Sequence, residues 1–412
     1  MEMRRLLLGQ PFVAVMVIGM SLRVFWALFV PVVPLSDSFA YYTLAKSIWQ
    51  FGVYGWTPEE PTAFWAVGPS AMTAATFLIF GETFTGVVIL NLLAGLAILL
   101  FTRALATHYF GERVAFWSVV LVAFWPNLIF FTSILSSELH FIALTMGGLY
   151  FWSRSSGRAW VNVLLSGFVW GLACYFRPVI VLFPVAMAIA ALSQGPRAVG
   201  AATLKAGIAI GLIVLIVSPW TLRNAEVIGK AYLVSSNFGS NLWMGNNPES
   251  TGEYTPLPPE TMQMSEVERE DYLGQLAKDY IREDPGRFIV AVGKRILILH
   301  GRETIGVAWN ESVLQSYLGE PGVFAAKLVA TAYWVMLVLA ALAGLAVYFR
   351  QVGLAALFHP VFGGWAYFTT VHAIIVSGDR YHMPSAPFVV MLAGLSFAWA
   401  IQFYLDSVES RK

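Results

Sequence analysis

Phe12-Val-Ala-Val-Met-Val-Ile-Gly-Met-Ser-Leu-Arg-Val-Phe-Trp-Ala-Leu-Phe-Val-Pro-Val-Val33 carries one ionisable side chain, Arg23, in a run long enough to cross a bilayer. A spanning helix needs about twenty apolar residues. Only helices and closed barrels satisfy their backbone inside hydrocarbon. The run does not alternate between apolar and polar positions as a barrel strand does, so it reads as a helix. It outlasts the apolar core of a signal peptide, and no Ala-x-Ala site follows, so it is expected to be a retained first span.

The same pattern recurs along the chain. Hydrophobic residues make up 58% of the 412 and charged residues 12%, about half the charged fraction of an ordinary soluble domain. Further spans are expected at residues 84–105, 114–133, 139–152, 161–175, 179–192, 206–222, 323–349, 354–376 and 384–405. The fold class expected is therefore an all-α polytopic membrane protein with about ten transmembrane helices. Arg4, Arg5, Arg103, Arg113, Arg154, Arg158, Arg197, Lys205, Arg350, Arg411 and Lys412 all fall on one side of that layout. The basic side is cytoplasmic, which puts both termini there and residues 34–82 and 223–322 on the opposite face. The chain divides into an N-terminal transmembrane module (1–222), an extracytoplasmic or interfacial segment (223–322) and C-terminal transmembrane helices (323–412). Residues 73–81 are apolar but too short to cross, and read as an interfacial helix. Within the outer segment, 265–284 has helical spacing behind a Ser/Glu capping signal, and 287–300 reads as a helix lying against the membrane. Cys174, the single cysteine, excludes an internal disulfide. A net charge of +1 carries no nucleic-acid signal.

Polar residues gather at the outer ends of these spans. Asp37 stands where the chain leaves the first span, ahead of Tyr41, Leu44, Ala45 and Ile48 at helical spacing. It suits either an N-cap or a proton-accepting base. Arg177, Arg223 and Arg380, the last followed by Tyr381, lie at outer junctions, as phosphate ligands or as interfacial anchors. Glu138 is a second boundary acid. Trp243 and Asn246 sit in a Gly/Asn-rich stretch that fits a sugar platform or turn chemistry. Arg23, at mid-span, needs a partner or a polar cavity and is expected to lock the bundle. His140, His359 and His372 have no metal-ligand spacing.

Several stretches together resemble the GT-C membrane glycosyltransferases, in the branch of the protein O-mannosyltransferases and the lipid A aminoarabinose transferases. Asp37-x-x-x-Tyr41-x-x-x-Ala45 followed by Gly52-Val-Tyr-Gly55 is similar to that family's first-loop motif. Trp65-Ala-Val-Gly-Pro-Ser70, Ser136-Ser-Glu138 and Phe176-Arg-Pro178 resemble later elements in the same order. So do Pro219-Trp-Thr-Leu-Arg-Asn224, Asn241-Leu-Trp-Met-Gly-Asn-Asn-Pro248 with Gly252-Glu-Tyr254, and Gly378-Asp-Arg-Tyr381 with Pro384 and Pro387.

The resemblance implies a bacterial inner-membrane enzyme that moves a sugar from a polyprenyl-phosphate donor to a glycan, lipid or protein acceptor on the extracytoplasmic face. Asp37 matches the family's base. Glu138 would be a second acid serving the acceptor, Arg380, Tyr381, Arg177 and Arg223 would hold the donor phosphate, and Tyr41, Trp243 and Asn246 would form a sugar or loop platform. Many relatives carry two adjacent acids in the first-loop motif, whereas Ser38 follows Asp37 here. The first loop also lacks an Asp-x-Asp pair, which argues against a divalent metal. The competing function classes are a secondary transporter or lipid flippase, which would place ionisable residues at mid-membrane and show repeated halves, and a non-catalytic membrane scaffold.

Overall fold

Long apolar runs without strand alternation fold as helices, and the computed structural model is helical throughout. It describes residues 2–155 and 159–410, with side chains from residue 11 onward. Arg4, Arg5, Arg158, Arg411 and Lys412, which contribute to the expected charge bias, lie outside the described side chains. In chain order the helices are α1 (Glu2–Phe29), α2 (Asp37–Phe51), α3 (Gly68–Phe80), α4 (Thr85–Phe110), α5 (Glu112–Ala123) and α6 (Pro126–Phe130). There follow α7 (Glu138–Ser153), α8 (Trp160–Cys174), α9 (Phe183–Ile189), α10 (Pro196–Val227), α11 (Phe238–Asn246) and α12 (Glu266–Glu283). The chain ends with α13 (Pro285–Gly301), α14 (Ile305–Ala308), α15 (Glu311–Val352), α16 (Pro360–Ile374) and α17 (Ala386–Glu409). Among the described residues there is no strand, only an isolated bridge between Gly55 and Pro61.

The segments expected to span fall mainly on helices, with the end of the first (30–33) beyond α1 and 179–192 broken into three short pieces. Among the described residues five helices are long and apolar enough to cross a membrane on their own, and the bent pair α5 with 126–133 raises that to six. The remaining segments come out shorter than a span requires. At 1.5 Å per residue, the 15 residues of α8 or of α16 rise about 23 Å, short of the ~30 Å hydrocarbon layer. Residues 178–194 are split between 3₁₀ turns and α9. Side chains such as Leu28 (76% exposed), Leu215 (65%) and Leu222 (69%) face outward. An apolar exterior on this scale belongs against lipid. The chain is a multi-pass membrane protein.

The break between α5 and α6 accounts for Arg23. Pro126 has no N–H to give the Val122 carbonyl, and the helix bends by 56° there. Arg23 Nη2 donates to Val122 O at 3.0 Å, and Nη1 donates to Ala123 O at 2.8 Å and to Gly19 O at 2.9 Å. Gly95 leaves room for the side chain, since a Cβ there would stand 3.2 Å from Arg23 Cδ. The guanidinium thus replaces the backbone donor that the proline removed, satisfies Ala123 O at the bend as well, and pins α1 to α5. Arg23→Met is expected to lower stability by about 2–5 kcal/mol, because two buried carbonyls lose their donors. Thermal unfolding in detergent measures this, and an unchanged midpoint would remove Arg23 as a lock.

Candidate active site

The first outer loop turns sharply before α2. Ser36 is the one non-glycine residue with positive φ among the described residues (φ 55°, ψ −124°). Strain of this kind persists where the surroundings hold a residue for a purpose. Here it sets the direction of Asp37, the first residue of α2. No side chain caps that helix. The Asp37 carboxylate instead faces Arg380, with Oδ2 2.6 Å from Nη1. Both line an open cavity of about 960 Å³, at the upper end of the range for small-molecule sites.

Four further side chains join this pair. Arg177, just before Pro178, is held by Ser137 Oγ at 2.9 Å and by the Glu138 carboxylate. The Tyr381 ring lies between guanidiniums, 5.2 Å from Arg380 and 6.0 Å from Arg177. Trp309 offers Arg380 a second aromatic face at 5.1 Å. His372, 6% exposed, stacks on Tyr381 with centroids 4.8 Å apart. Burial pulls the Arg380 guanidinium down, but Asp37, Tyr381 and Glu138 together outweigh it and hold it well above the ordinary arginine range. Burial first, then Asp37 and Glu138, push the Tyr41 hydroxyl up, so it stays protonated. The result is a wet cavity with a carboxylate, two fixed guanidiniums and phenol hydroxyls on its wall. Such a set can accept a proton and hold an anion.

Asp37, Tyr41, Arg177, Arg380 and Tyr381 therefore meet at one cavity, while other expected site residues do not reach it. Glu138 is 1% exposed and sits behind Arg177, orienting that residue rather than touching a substrate. Arg223 donates to Thr62 O and Tyr54 O, both at 2.8 Å, so its forks fasten the first outer loop and are not open to phosphate. Trp243 packs among Leu242, Leu273 and Ala277. Asn246 Nδ2 donates to Leu242 O at 2.9 Å and to Ile374 O at 3.2 Å, while Oδ1 accepts from Arg295 at 3.0 Å. The backbones come so close here that a Cβ on Gly245 would stand 1.9 Å from Ile375 O. Residues 241–248 are thus a packing device that holds the C-terminal end of α16, from which the chain runs to Arg380.

Comparison with known proteins gives the following. The sequence model of the family described as dolichyl-phosphate-mannose-protein mannosyltransferase matches residues 66–222, a stretch that includes Glu138 and Arg177. No curated protein sequence matches the chain. The apo oligosaccharyltransferase of Archaeoglobus fulgidus aligns over 97% of this chain and 52% of its own, at 13% identity and a TM-score of 0.59. AglB from the same organism, in complex with an inhibitory peptide and a dolichol-phosphate, aligns over the same shares at 12% identity and a TM-score of 0.56. The chain shares the fold of the transmembrane part of those two oligosaccharyltransferase structures. It spans about half the length of those two structures. ArnT from Cupriavidus metallidurans bound to undecaprenyl phosphate aligns over 94% of this chain and 77% of its own, at 12% identity and a TM-score of 0.47.

A brace beneath the cavity carried no signal in the sequence. Asp379 accepts from Thr304 N at 2.8 Å and from the Thr304 hydroxyl, with Arg302 Nε 3.5 Å away. His382 Nε2 lies 2.7 Å from Glu303 Oε1, and Trp125 Nε1 donates to both Glu303 oxygens at 3.0 and 2.8 Å. The His382 ring stacks on Trp334 at 4.0 Å. In Asp379-Arg-Tyr-His382 the outer pair grips residues 302–304 and the inner pair faces the cavity. Burial pushes the Glu303 carboxyl well above its usual range and pulls His382 down to about 3, so burial favours the neutral form of each partner. His382 directly follows the late motif Gly378-Asp-Arg-Tyr381. Glu303 and Trp309 carried no local signal, since partners so far apart in sequence leave no spacing to read.

Proposed function

We propose that this chain is an inverting glycosyltransferase that moves a sugar from a polyprenyl-phosphate donor to an acceptor at the extracytoplasmic face. The observation that carries the reading is the Asp37–Arg380 pair, 2.6 Å apart on the wall of an open cavity. Asp37 takes the proton of the acceptor hydroxyl as its oxygen attacks the anomeric carbon. The bond from that carbon to the phosphate oxygen breaks, and its electron pair leaves with the lipid phosphate. Arg380 and Arg177 stabilise the charge that develops there. A guanidinium grips phosphate oxygens with paired donors, and Tyr381 adds a hydroxyl. The reading gives the leaving phosphate to these side chains and assigns no step to a divalent metal.

The layout follows from the same reading. Residues 1–222 form the catalytic transmembrane module, 223–322 the outer segment roofing the cavity, and 323–412 the C-terminal helices that deliver Arg380. Both termini lie on the cytoplasmic side, and the short helices complete about ten spans with their flanking 3₁₀ turns.

The test uses purified full-length protein with a panel of undecaprenyl-phosphate hexoses and pentoses labelled in the sugar, with host membrane extract supplying the acceptor. Label is expected to pass from the polyprenyl lipid to a second molecule. Arg380→Gln should reduce that passage at least about 100-fold. Label that crosses proteoliposomes still attached to its lipid would establish a flippase instead.

A further inference from the structure

Three arginines line the cavity, and one of them is uncommitted. Arg380 faces Asp37, and Arg177 is held by Glu138. Arg269, on α12, makes no side-chain hydrogen bond among the described residues, and its Nε is buried without a partner. Its nearest carboxylate is Glu270, 3.8 Å away. That carboxylate already accepts from Ser240 N at 2.9 Å and from the Ser240 hydroxyl, and burial pushes it toward the neutral form.

The position of Arg269 is nevertheless fixed. Glu266, one turn earlier on the same helix, accepts from Thr62 Oγ1 at 2.6 Å, Ala63 N at 3.0 Å and Ser236 Oγ at 2.7 Å. This clamp ties α12 to the first outer loop and lays the Arg269 guanidinium over the Phe64 ring at 5.4 Å. Phe64 and Trp65 have ring centroids 4.5 Å apart, with Trp56 edge-on to Trp65 at 5.4 Å, and all three line the cavity. Such aromatic faces suit the apolar face of a sugar ring, and the free guanidinium beside them suits an anion. The lipid phosphate of the donor already has Arg177 and Arg380, so a third guanidinium, carried on α12 and laid against Phe64, is surplus to it.

We propose that Phe64, Trp65 and Arg269 form an acceptor subsite for a saccharide that carries a carboxylate or phosphate group. This rests on the glycosyl-transfer reading and specifies the acceptor's chemistry: a ring against the aromatic shelf, its anionic substituent on Arg269, and its reacting hydroxyl free to meet Asp37.

The experiment measures binding of glucuronate, glucose 6-phosphate and glucose by saturation-transfer NMR, using the full chain in nanodiscs with undecaprenyl phosphate saturating the donor end. Both anionic sugars are expected to bind about tenfold or more tightly than glucose. Arg269→Gln should erase that preference, Arg269→Lys should keep most of it, and neither should change undecaprenyl phosphate affinity. Equal binding of the three sugars, or a preference that survives Arg269→Gln, overturns the proposal. Undecaprenyl phosphate affinity that falls with Arg269→Gln also overturns it, by giving Arg269 to the donor's own phosphate. A wild-type chain that ignores undecaprenyl phosphate would sink the transfer reading alone, because the ratio of anionic to neutral sugar still reports on Arg269.

Discussion

Asp37→Asn is expected to slow glycosyl transfer by about 10²–10⁴-fold, the range by which a positioned general base accelerates its reaction. Affinity for undecaprenyl phosphate should stay within a few fold. Asparagine keeps the size and shape of the side chain but cannot take a proton from the acceptor hydroxyl. The substitution also separates two roles the sequence left open. Asparagine caps a helix about as well as aspartate, so a residue that only started α2 would tolerate the change without loss. The structure already favours the other role, since the Asp37 carboxylate lies against Arg380 and no side chain caps α2. Arg380 would keep its Tyr381 and Trp309 faces in the variant, so its grip on phosphate should survive. Transfer at the wild-type rate would take Asp37 out of the chemistry.

Much of the fold was legible because lipid leaves so few options. A run such as 12–33 can only be a helix, and Arg23 within it can only be buried against acceptors. Its acceptors proved to be carbonyls at the bend, one of them freed by Pro126, which is a local rule of backbone chemistry. Span lengths were less legible, because hydropathy does not distinguish an α-turn from the 3₁₀ turns that split residues 178–194. In the candidate site, Asp37 and Arg380 stood out because each follows a span directly and carries chemistry that a lipid boundary does not need. Arg223 stood out for the same reason and Asn246 for its Gly/Asn-rich stretch, yet both satisfy backbone carbonyls. Residue type alone does not separate a guanidinium that holds substrate from one that holds a loop. Arg269 was the converse case, since a charged residue on an amphipathic outer helix looks solvated until the first loop is folded over it.

Breaking the brace under Arg380 carries the other large expected effect. Glu303→Ala removes the acceptor of Trp125 and the partner of His382 at a site with no exposed surface. The loss should be about 1–3 kcal/mol of stability from unpaired buried groups. Transfer should fall by about tenfold or more, because a misplacement of about 1 Å in a charged ligand can weaken a site on that scale. Glu303→Gln is the discriminating variant. If the pair is neutral, an amide replaces the protonated carboxyl at nearly the same shape, and both transfer and undecaprenyl phosphate affinity should recover to near wild type. The pH dependence has a definite sign. With the folded carboxyl raised well above its usual value, the unfolded chain ionises first as pH rises past about 4.5, and stability falls from there toward the folded value. Glu303→Gln removes that slope, so its unfolding midpoint should gain on wild type as pH goes from 5 to 8 in detergent. A glutamine variant as damaged as the alanine one, in both transfer and stability, would mean that Glu303 and His382 form a charged pair. Arg380 would then be held by an ion pair, and the transfer rate of wild type should fall once His382 loses its proton.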